Sequence, residues 1–229
     1  MILASAVLVA GGQGRRMGGD PKQFRLLGDR PTVCWAARAL FDALDGPLVV
    51  ALPDELAAEG ERLLRVHLPD VADRLRVVVG GPRRQDSVHA GLGALDNATT
   101  VLVHDAARPF ASPVLVERVA RRAASGRAVI PAVPIRDTLK EVDGDRIVGT
   151  RDRSRFVAAQ TPQGFPLAVL RAAHQDALGE EATDDAALCE RRGVEVTWMA
   201  GERLNRKLTD PEDWAWAEQA LAAGWVRWQ

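Results

Sequence analysis

Behind the apolar run ASAVLVA (residues 4–10) the chain reads GGQGRRMGGDPKQ, residues 11–23. Five glycines in this stretch let a backbone close on an anion, because no Cβ holds it away. The free N–H groups of such a loop form a concavity suited to phosphate oxygens. Arg16 supplies a planar fork that grips two phosphate oxygens at once. Lys22 supplies a compact point charge, and Pro21 fixes the backbone just before it. The chemistry that needs this set is displacement at phosphorus on a polyphosphate, where charge must be neutralised as it accumulates. A solvated surface loop is the plain alternative for any glycine-rich stretch. The Met17 and Pro21-Lys22-Gln23 context weighs against it, and Arg15 fills a slot that asks only for solvent.

The loop is neither of the two familiar phosphate motifs. A dinucleotide fingerprint, G-x-G-x-x-G, starts at Gly12 and Gly14, but Met17 stands in place of its third glycine. A P-loop needs Gly-Lys-Ser/Thr, whereas Lys22 lies between Pro21 and Gln23. What is left is a longer wrapping loop over residues 11–21. The basic residues are also biased: Lys22, Lys140 and Lys207 are the only lysines among 30 basic side chains. A chain that uses arginine elsewhere keeps lysine where a compact charge matters, if those positions fall in motifs.

The elements that must position this loop follow from hydrophobic periodicity. SAVLVA, PLVVAL, LRVVVGG, TTVLVHD and RAVIPAVPI read as buried strands, separated by helical patterns at 31–44, 53–68, 85–95 and 112–126. Ser112 is an N-cap, Pro113 an N1 residue and Gly126 a terminator. The alternation predicts an α/β fold, a mostly parallel sheet with helices on both faces. It breaks at Arg136, where two strand-like segments flank Asp143-Gly144 as a hairpin. Two helical patterns, a strand (VEVTWM) and a closing helix capped by Asp210-Pro211 follow. No linker or repeat interrupts residues 1–229, which reads as one domain with a small arm at 136–157.

Net charge is −1, which carries no electrostatic footprint for nucleic acid. No apolar run reaches membrane-spanning length, and no charged region precedes the first apolar stretch. A cytoplasmic protein without membrane contact is expected. Cys34 and Cys189 have no metal or redox spacing and read as small core residues inside helices. The four histidines lack ligand spacing, and His104 reads as a hydrogen-bonded structural residue. Trp214, Trp216, Trp225 and Trp228 read as helix packing plus a partly exposed tail.

AGGQGRRMGGDPKQ resembles the signature of nucleotidyltransferases with a Rossmann-like, GT-A-type three-layer fold. VVVGGPRRQDSV (77–88), VLVHDAARPF (101–110), AVPIRDTLK (132–140), AAQTPQGF (158–165), TDDA (183–186) and NRKLTDPED (205–213) narrow it. In this order and spacing they resemble the 2-C-methyl-D-erythritol 4-phosphate cytidylyltransferase family over residues 6–213. All three lysines fall inside these motifs.

The resemblance implies transfer of a cytidylyl group from CTP to a methylerythritol phosphate in non-mevalonate isoprenoid biosynthesis. It implies Arg16 and Lys22 as transition-state stabilisers, with Arg153 and Lys207 positioning the acceptor. Ala10, Gly11, Gly12, Gly14, Gly81 and Ser87 would hold CTP. Asp105, Arg108, Thr138, Thr161 and Thr183 would lie near the ribose or the acceptor hydroxyls. Ser87 alone also reads as a helix cap, and Asp105 as a buried carboxylate paired with Arg108. Mg²⁺ is expected on the CTP phosphates and water, with no protein ligand. The hairpin corresponds to a homodimer arm, so Thr138 and Arg153 would serve the neighbouring subunit.

The acceptor phosphate is mostly a dianion at neutral pH and needs no general base. Pro82 lacks an N–H where a base contact would use one, and Arg206 adds charge beside Lys207. The rivals are a ribitol 5-phosphate cytidylyltransferase, a molybdenum-cofactor guanylyltransferase that shares only the glycine loop, and a non-catalytic nucleotide-sensing regulator.

Overall fold

The N-terminal apolar run forms a buried strand, β1 (Ser5–Val9). The structure is a computed structural model that describes residues 2–12, 21, 23–96, 98–177 and 181–228. A short hairpin, β2 (Leu26–Leu27) and β3 (Arg30–Pro31), leads into α1 (Thr32–Ala43). The series continues as β4 (Leu48–Leu52), α2 (Asp54–His67), β5 (Leu75–Val79), α3 (Arg84–Gly93) and β6 (Thr100–Asp105). α4 (Pro113–Ala124) and β7 (Ala128–Pro134) complete the alternating part. Next come β8 (Leu139–Asp143), β9 (Arg146–Arg151), β10 (Val157–Ala159) and β11 (Gln163–Pro166). α5 (Leu167–Asp176), α6 (Asp185–Arg191), β12 (Val196–Ala200) and α7 (Pro211–Ala222) close the chain.

The main sheet runs β10-β7-β11-β6-β1-β4-β5, with β12 also paired to β7. β6, β1, β4 and β5 are mutually parallel, and β12 is parallel to β7. β11 is antiparallel to both β6 and β7, which makes the sheet mixed but mostly parallel. β10 and β11 were not expected as strands. Each is short, and Pro162 and Gly164 punctuate the stretch, so no alternation announces them.

β1 separates two cores by its pleat. Ala6 and Leu8 pack with residues of α1, α2 and α4. Val7, on the other face, packs with α3, α5 and α6. These are the helical layers expected on both faces of a parallel sheet. Cys34 and Cys189 sit in these cores, and burial pushes both thiols up to about 12, so neither ionises at neutral pH. The predicted caps form as read: Leu115 N–H donates to Ser112 Oγ at 3.0 Å, and Asp213 N–H to Asp210 Oδ1 at 2.8 Å. In a third cluster α7 packs Trp214 beside Trp35, and Trp228 meets Trp35 edge-on at 5.1 Å. Trp225 remains 60% exposed. Among the described residues no helix is long and apolar enough to cross a membrane.

β8 and β9 form a separate two-stranded sheet. Asp143 pairs with Arg146, so the tight loop is Gly144-Asp145, and Gly144 takes φ +59. This turn lies one residue later than Asp143-Gly144, because glycine supplies the left-handed first position.

α3 comes closest to β1 at Gly91, where a Cβ would lie 2.5 Å from Val7 Cγ1. Both partners belong to rigid elements, so the clash cannot be relieved by a flexible tip. Gly91→Ala should therefore destabilise the protein by about 1–3 kcal/mol despite the better helix propensity of alanine. Urea unfolding reads this; an unchanged or raised midpoint would show that α3 can retreat at no cost.

Candidate active site

β1 is the point where the sheet order reverses. The chain leaves it outward through β4 and β5, then returns to β6 on its other side. In open α/β sheets the crevice beyond the strand ends at such a point binds ligands. A cleft of about 530 Å³ lies there. Its walls are the segments that follow three strands: Ala10–Gly12 after β1, Gly81–Arg84 after β5, and Asp105–Ala107 at the end of β6. Lys207–Thr209 and Gln23 also line it.

The glycines after β5 are there for close approach to α3. A Cβ on Gly80 would lie 2.6 Å from Ser87 Oγ, and one on Gly81 2.3 Å from Asp86 Cβ. Ser87 itself is not a cap. α3 starts at Arg84 with Arg83 in the N-cap place, and the Ser87 hydroxyl lies 3.3 Å from the carbonyls of Gly81 and Arg83. It belongs to the second turn and lines the cleft.

Asp105 organises the floor. Its Oδ1 accepts from Arg84 Nε at 3.0 Å and its Oδ2 from Lys207 Nζ at 2.8 Å. Arg84 Nη1 extends to Asp185 Oδ2 at 2.8 Å, and Asp185 Oδ1 meets His174 Nε2 at 2.9 Å. Burial alone would raise the Asp105 carboxyl, but Arg84 and Lys207 outweigh it and hold it well below the usual carboxylate range. Asp185 is lowered in the same way, burial being overcome by Arg84 and His174. The pairing of Asp105 with Arg108 is corrected here: the guanidinium of Arg108 instead donates to the carbonyls of Asn205 (2.9 Å) and Ala159 (3.3 Å). Arg84 was not anticipated. It stands three residues before Ser87, on the same helix face, and that spacing was the available signal.

Beneath Asp105 runs an ordered chain of neutral hydrogen bonds. The Arg108 carbonyl can only accept, so His104 carries its proton on Nε2, 3.1 Å away. His104 Nδ1 then accepts from the Thr161 hydroxyl at 2.9 Å, which accepts in turn from the Asp105 N–H at 3.0 Å. Burial depresses the His104 imidazole to about 4, so it is neutral and structural, as its sequence context suggests.

Lys207 is presented by a segment tied down at several points. Asn205 Nδ2 donates to the Thr161 carbonyl at 2.7 Å, Gln160 Nε2 to the Glu202 carbonyl at 2.8 Å, and Leu208 N–H to the Ala107 carbonyl at 2.7 Å. Arg206 turns away, pairing with Asp213 at 2.6 Å. Lys207 also borders a second cavity of about 610 Å³, whose lining includes Arg108, Arg136, Arg203 and Arg206 and, among the described residues, no carboxylate.

The predicted residues thus divide. Ala10, Gly11, Gly12, Gly81, Ser87, Asp105 and Lys207 meet at the cleft, and Arg108 meets Lys207 at the second cavity. Thr161 lies below the floor with its hydroxyl engaged. Thr138 and Thr183 are exposed and line neither cavity. Arg153 is exposed too, and its guanidinium bonds the Arg136 carbonyl. Gly14, Arg16 and Lys22 lie outside the described residues.

The family model described as 2-C-methyl-D-erythritol 4-phosphate cytidylyltransferase (IspD) matches residues 4–223. The chain belongs to this family. A cytidylyltransferase of that name from Halalkalibacterium halodurans is 40% identical, over 95% of this chain and 96% of its own length. The bifunctional enzyme IspD/IspF of Solidesulfovibrio magneticus is 45% identical over 94% of this chain. The chain spans 56% of that longer relative. The crystal structure of the Thermus thermophilus cytidylyltransferase superposes with a TM-score of 0.80 at 37% identity, covering 97% of this chain and all of that one. The mixed α/β sheet with flanking helices is therefore the family's fold.

Among the described residues no three His, Cys, Asp or Glu side chains converge to hold a metal ion. Asp105, the carboxylate on the cleft floor, has both oxygens taken by cations.

His104 yields a pH prediction. Its folded pKa, about 4, lies below its ordinary value of 6.5. The unfolded chain therefore binds the extra proton first. The contribution is fully present above pH 6.5 and is lost as pH falls toward 4. Chemical denaturation across that window should show stability falling, with a shallower fall for His104→Gln. Equal slopes would mean that the imidazole is protonated in the fold.

Proposed function

We propose that the chain transfers the cytidylyl group of CTP to 2-C-methyl-D-erythritol 4-phosphate, forming 4-diphosphocytidyl-2-C-methyl-D-erythritol and pyrophosphate. One observation carries this reading beyond family membership: Lys207 borders both the glycine-walled cleft and the basic cavity beside it. A donor nucleotide in the first and a phosphate monoester in the second would meet at that ammonium.

On this reading Ala10, Gly11, Gly12, Gly81 and Ser87 surround the cytidine, and Gly14 belongs to the same wrapping loop. An oxygen of the acceptor phosphate attacks the α-phosphorus of CTP. The new P–O bond forms as the bond to the bridging oxygen breaks, and the electron pair leaves with pyrophosphate. The acceptor is already an anion, so no residue removes a proton. What the protein supplies is placement and charge compensation. Lys207, fixed by Asp105, keeps the two polyanions together. Arg16 and Lys22 meet the charge gathering on the α-phosphate. Magnesium, carried by the CTP phosphates and water, would offset phosphate charge without a protein ligand.

Thr138, Arg153 and the arm at 136–157 complete the site of a second copy in this reading, and Thr183 lies near the acceptor hydroxyls. The support is the arm's exposed apolar surface: Val142, Ile147 and Val148 are 63%, 65% and 51% exposed. Such side chains on an isolated hairpin are covered in an assembly. One nucleotidyltransferase domain over residues 1–229, working in the cytoplasm as a homodimer, completes the reading.

Purified protein incubated with CTP, Mg²⁺ and methylerythritol phosphate should release pyrophosphate. The same assay with ribitol 5-phosphate should not. Release only with ribitol phosphate would transfer the assignment to that acceptor, and release with neither would favour a nucleotide sensor. Lys207→Ala should lower kcat/KM by about 10²–10³-fold, the scale of losing one preorganised donor.

A double substitution, Ile147→Lys with Val148→Lys, should yield monomers by sedimentation and lose most turnover, since Thr138 and Arg153 no longer reach a neighbour. A fully active dimer would place the interface elsewhere.

A further inference from the structure

Arg84 departs from the way other arginines of this chain meet carboxylates. Arg62 lays Nε and Nη2 on the two oxygens of Glu59 at 2.8 and 2.7 Å, and Arg83 does the same on Asp86 at 2.9 and 2.6 Å. That two-point grip uses the edge of the guanidinium that Nε and Nη2 share. Arg84 gives Asp105 only Nε, at 3.0 Å. Its Nη2, on the same edge, is buried without a hydrogen-bond partner among the described residues. A buried donor left open beside a carboxylate is costly, so something holds the guanidinium off the better grip.

Asp185 is placed to do this. It accepts from Nη1, on the other side of the guanidinium, at 2.8 Å. Its side chain is 1% exposed and lines neither cavity. Its second oxygen meets His174 Nε2 at 2.9 Å. The turn that carries it is also fixed. Asp184 caps α6 by accepting from the Ala187 N–H at 3.0 Å. Gln163 of β11 donates to Asp184 Oδ2 at 2.7 Å and accepts from the Ala186 N–H at 3.2 Å. The oxygen that Arg84 leaves open, Asp105 Oδ2, is the one that Lys207 takes at 2.8 Å.

We propose that Asp185 is a positioning residue for the transfer reaction: by holding Arg84 at Nη1 it keeps Nη2 off Asp105 Oδ2 and reserves that oxygen for Lys207. The assignment rests on the cytidylyltransferase reading above, because Asp185 acts through Arg84 and Asp105 on an ammonium that borders both cavities. Without the Asp185 carboxylate the Arg84 fork closes on both oxygens of Asp105, and Lys207 loses its anchor.

A crystal structure and a double-substitution cycle on the whole chain test this. In Asp185→Leu, Nε and Nη2 of Arg84 should lie on the two oxygens of Asp105, with Lys207 Nζ out of hydrogen-bond reach of Oδ2. Pyrophosphate release should show kcat/KM for the acceptor lowered about tenfold by Asp185→Leu, but less than about twofold when Lys207 is already alanine. A loss of general packing would cost the same factor in both backgrounds. Thermal melts check folding, and Asp185→Ser, too short to reach Nη1, replaces the leucine variant if that one does not fold. Equal factors in the two backgrounds, or Lys207 still on Oδ2 in the variant, overturn the assignment alone. No pyrophosphate release by the unaltered protein with either polyol phosphate overturns the cytidylyltransferase reading and this assignment together.

Discussion

A carboxylate at the end of a buried strand would ordinarily be neutralised by protonation. Asp105 instead keeps its charge because Arg84 and Lys207 take one oxygen each. That arrangement fixes much else. Arg84 reaches it only because Gly80 and Gly81 let the start of α3 approach the sheet. Lys207 reaches it only because Asn205 and Gln160 tie the 202–208 segment against β10 and the turn before β11. Removing Asp105 would leave two cations near one another on a low-dielectric floor, and breaking such a pair from one side is costly, about 3–5 kcal/mol. The charges balance within the group: two cations face Asp105 and Asp185, with His174 closing the far end.

The electrostatic group and the neutral chain beneath it have separate tasks. His104, Thr161 and the Arg108 carbonyl form a line of fixed donors and acceptors ending at the Asp105 N–H. They hold the backbone of the residue whose side chain holds Lys207. A neutral histidine suits this position better than a charged one, because a third cation near Arg84 and Lys207 would oppose both. Burial keeps it neutral. Thr161 thus affects the cleft through Asp105 and not through its own surface.

The parts of the fold that repeat were legible in the sequence, and so were the segments that end strands. β1, β4, β5, β6 and β7 announce themselves as apolar runs, and Ser112 and Asp210 cap as their types require. β10 and β11 did not, because a three- and a four-residue strand separated by Gln160-Thr161-Pro162 have no period to detect. The cleft's glycines and Ser87 were legible through motif order. Its ion pairs were not: Asp105 lay next to Arg108 in sequence, and proximity suggested the wrong partner. Arg84 is 21 residues away and Lys207 102. A sequence displays which charges exist, and only the tertiary fold selects among them.

The scarcity of lysine acquires a physical reading at Lys207 and loses one at Lys140. Lys140 makes an exposed cross-strand contact to Thr150 Oγ1 at 2.7 Å, a role that arginine fills as well. Lys207 is different. An arginine there would lay its planar fork against both oxygens of Asp105 and displace Arg84 from Oδ1. An ammonium takes only Oδ2 and keeps donors for whatever enters from either cavity. The same carboxylate can then anchor two cations of different shape: Arg84, directed inward to Asp185, and Lys207, directed outward to the two cavities. The division of labour depends on one being an arginine and the other a lysine, and exchanging their types would conserve charge while losing the geometry.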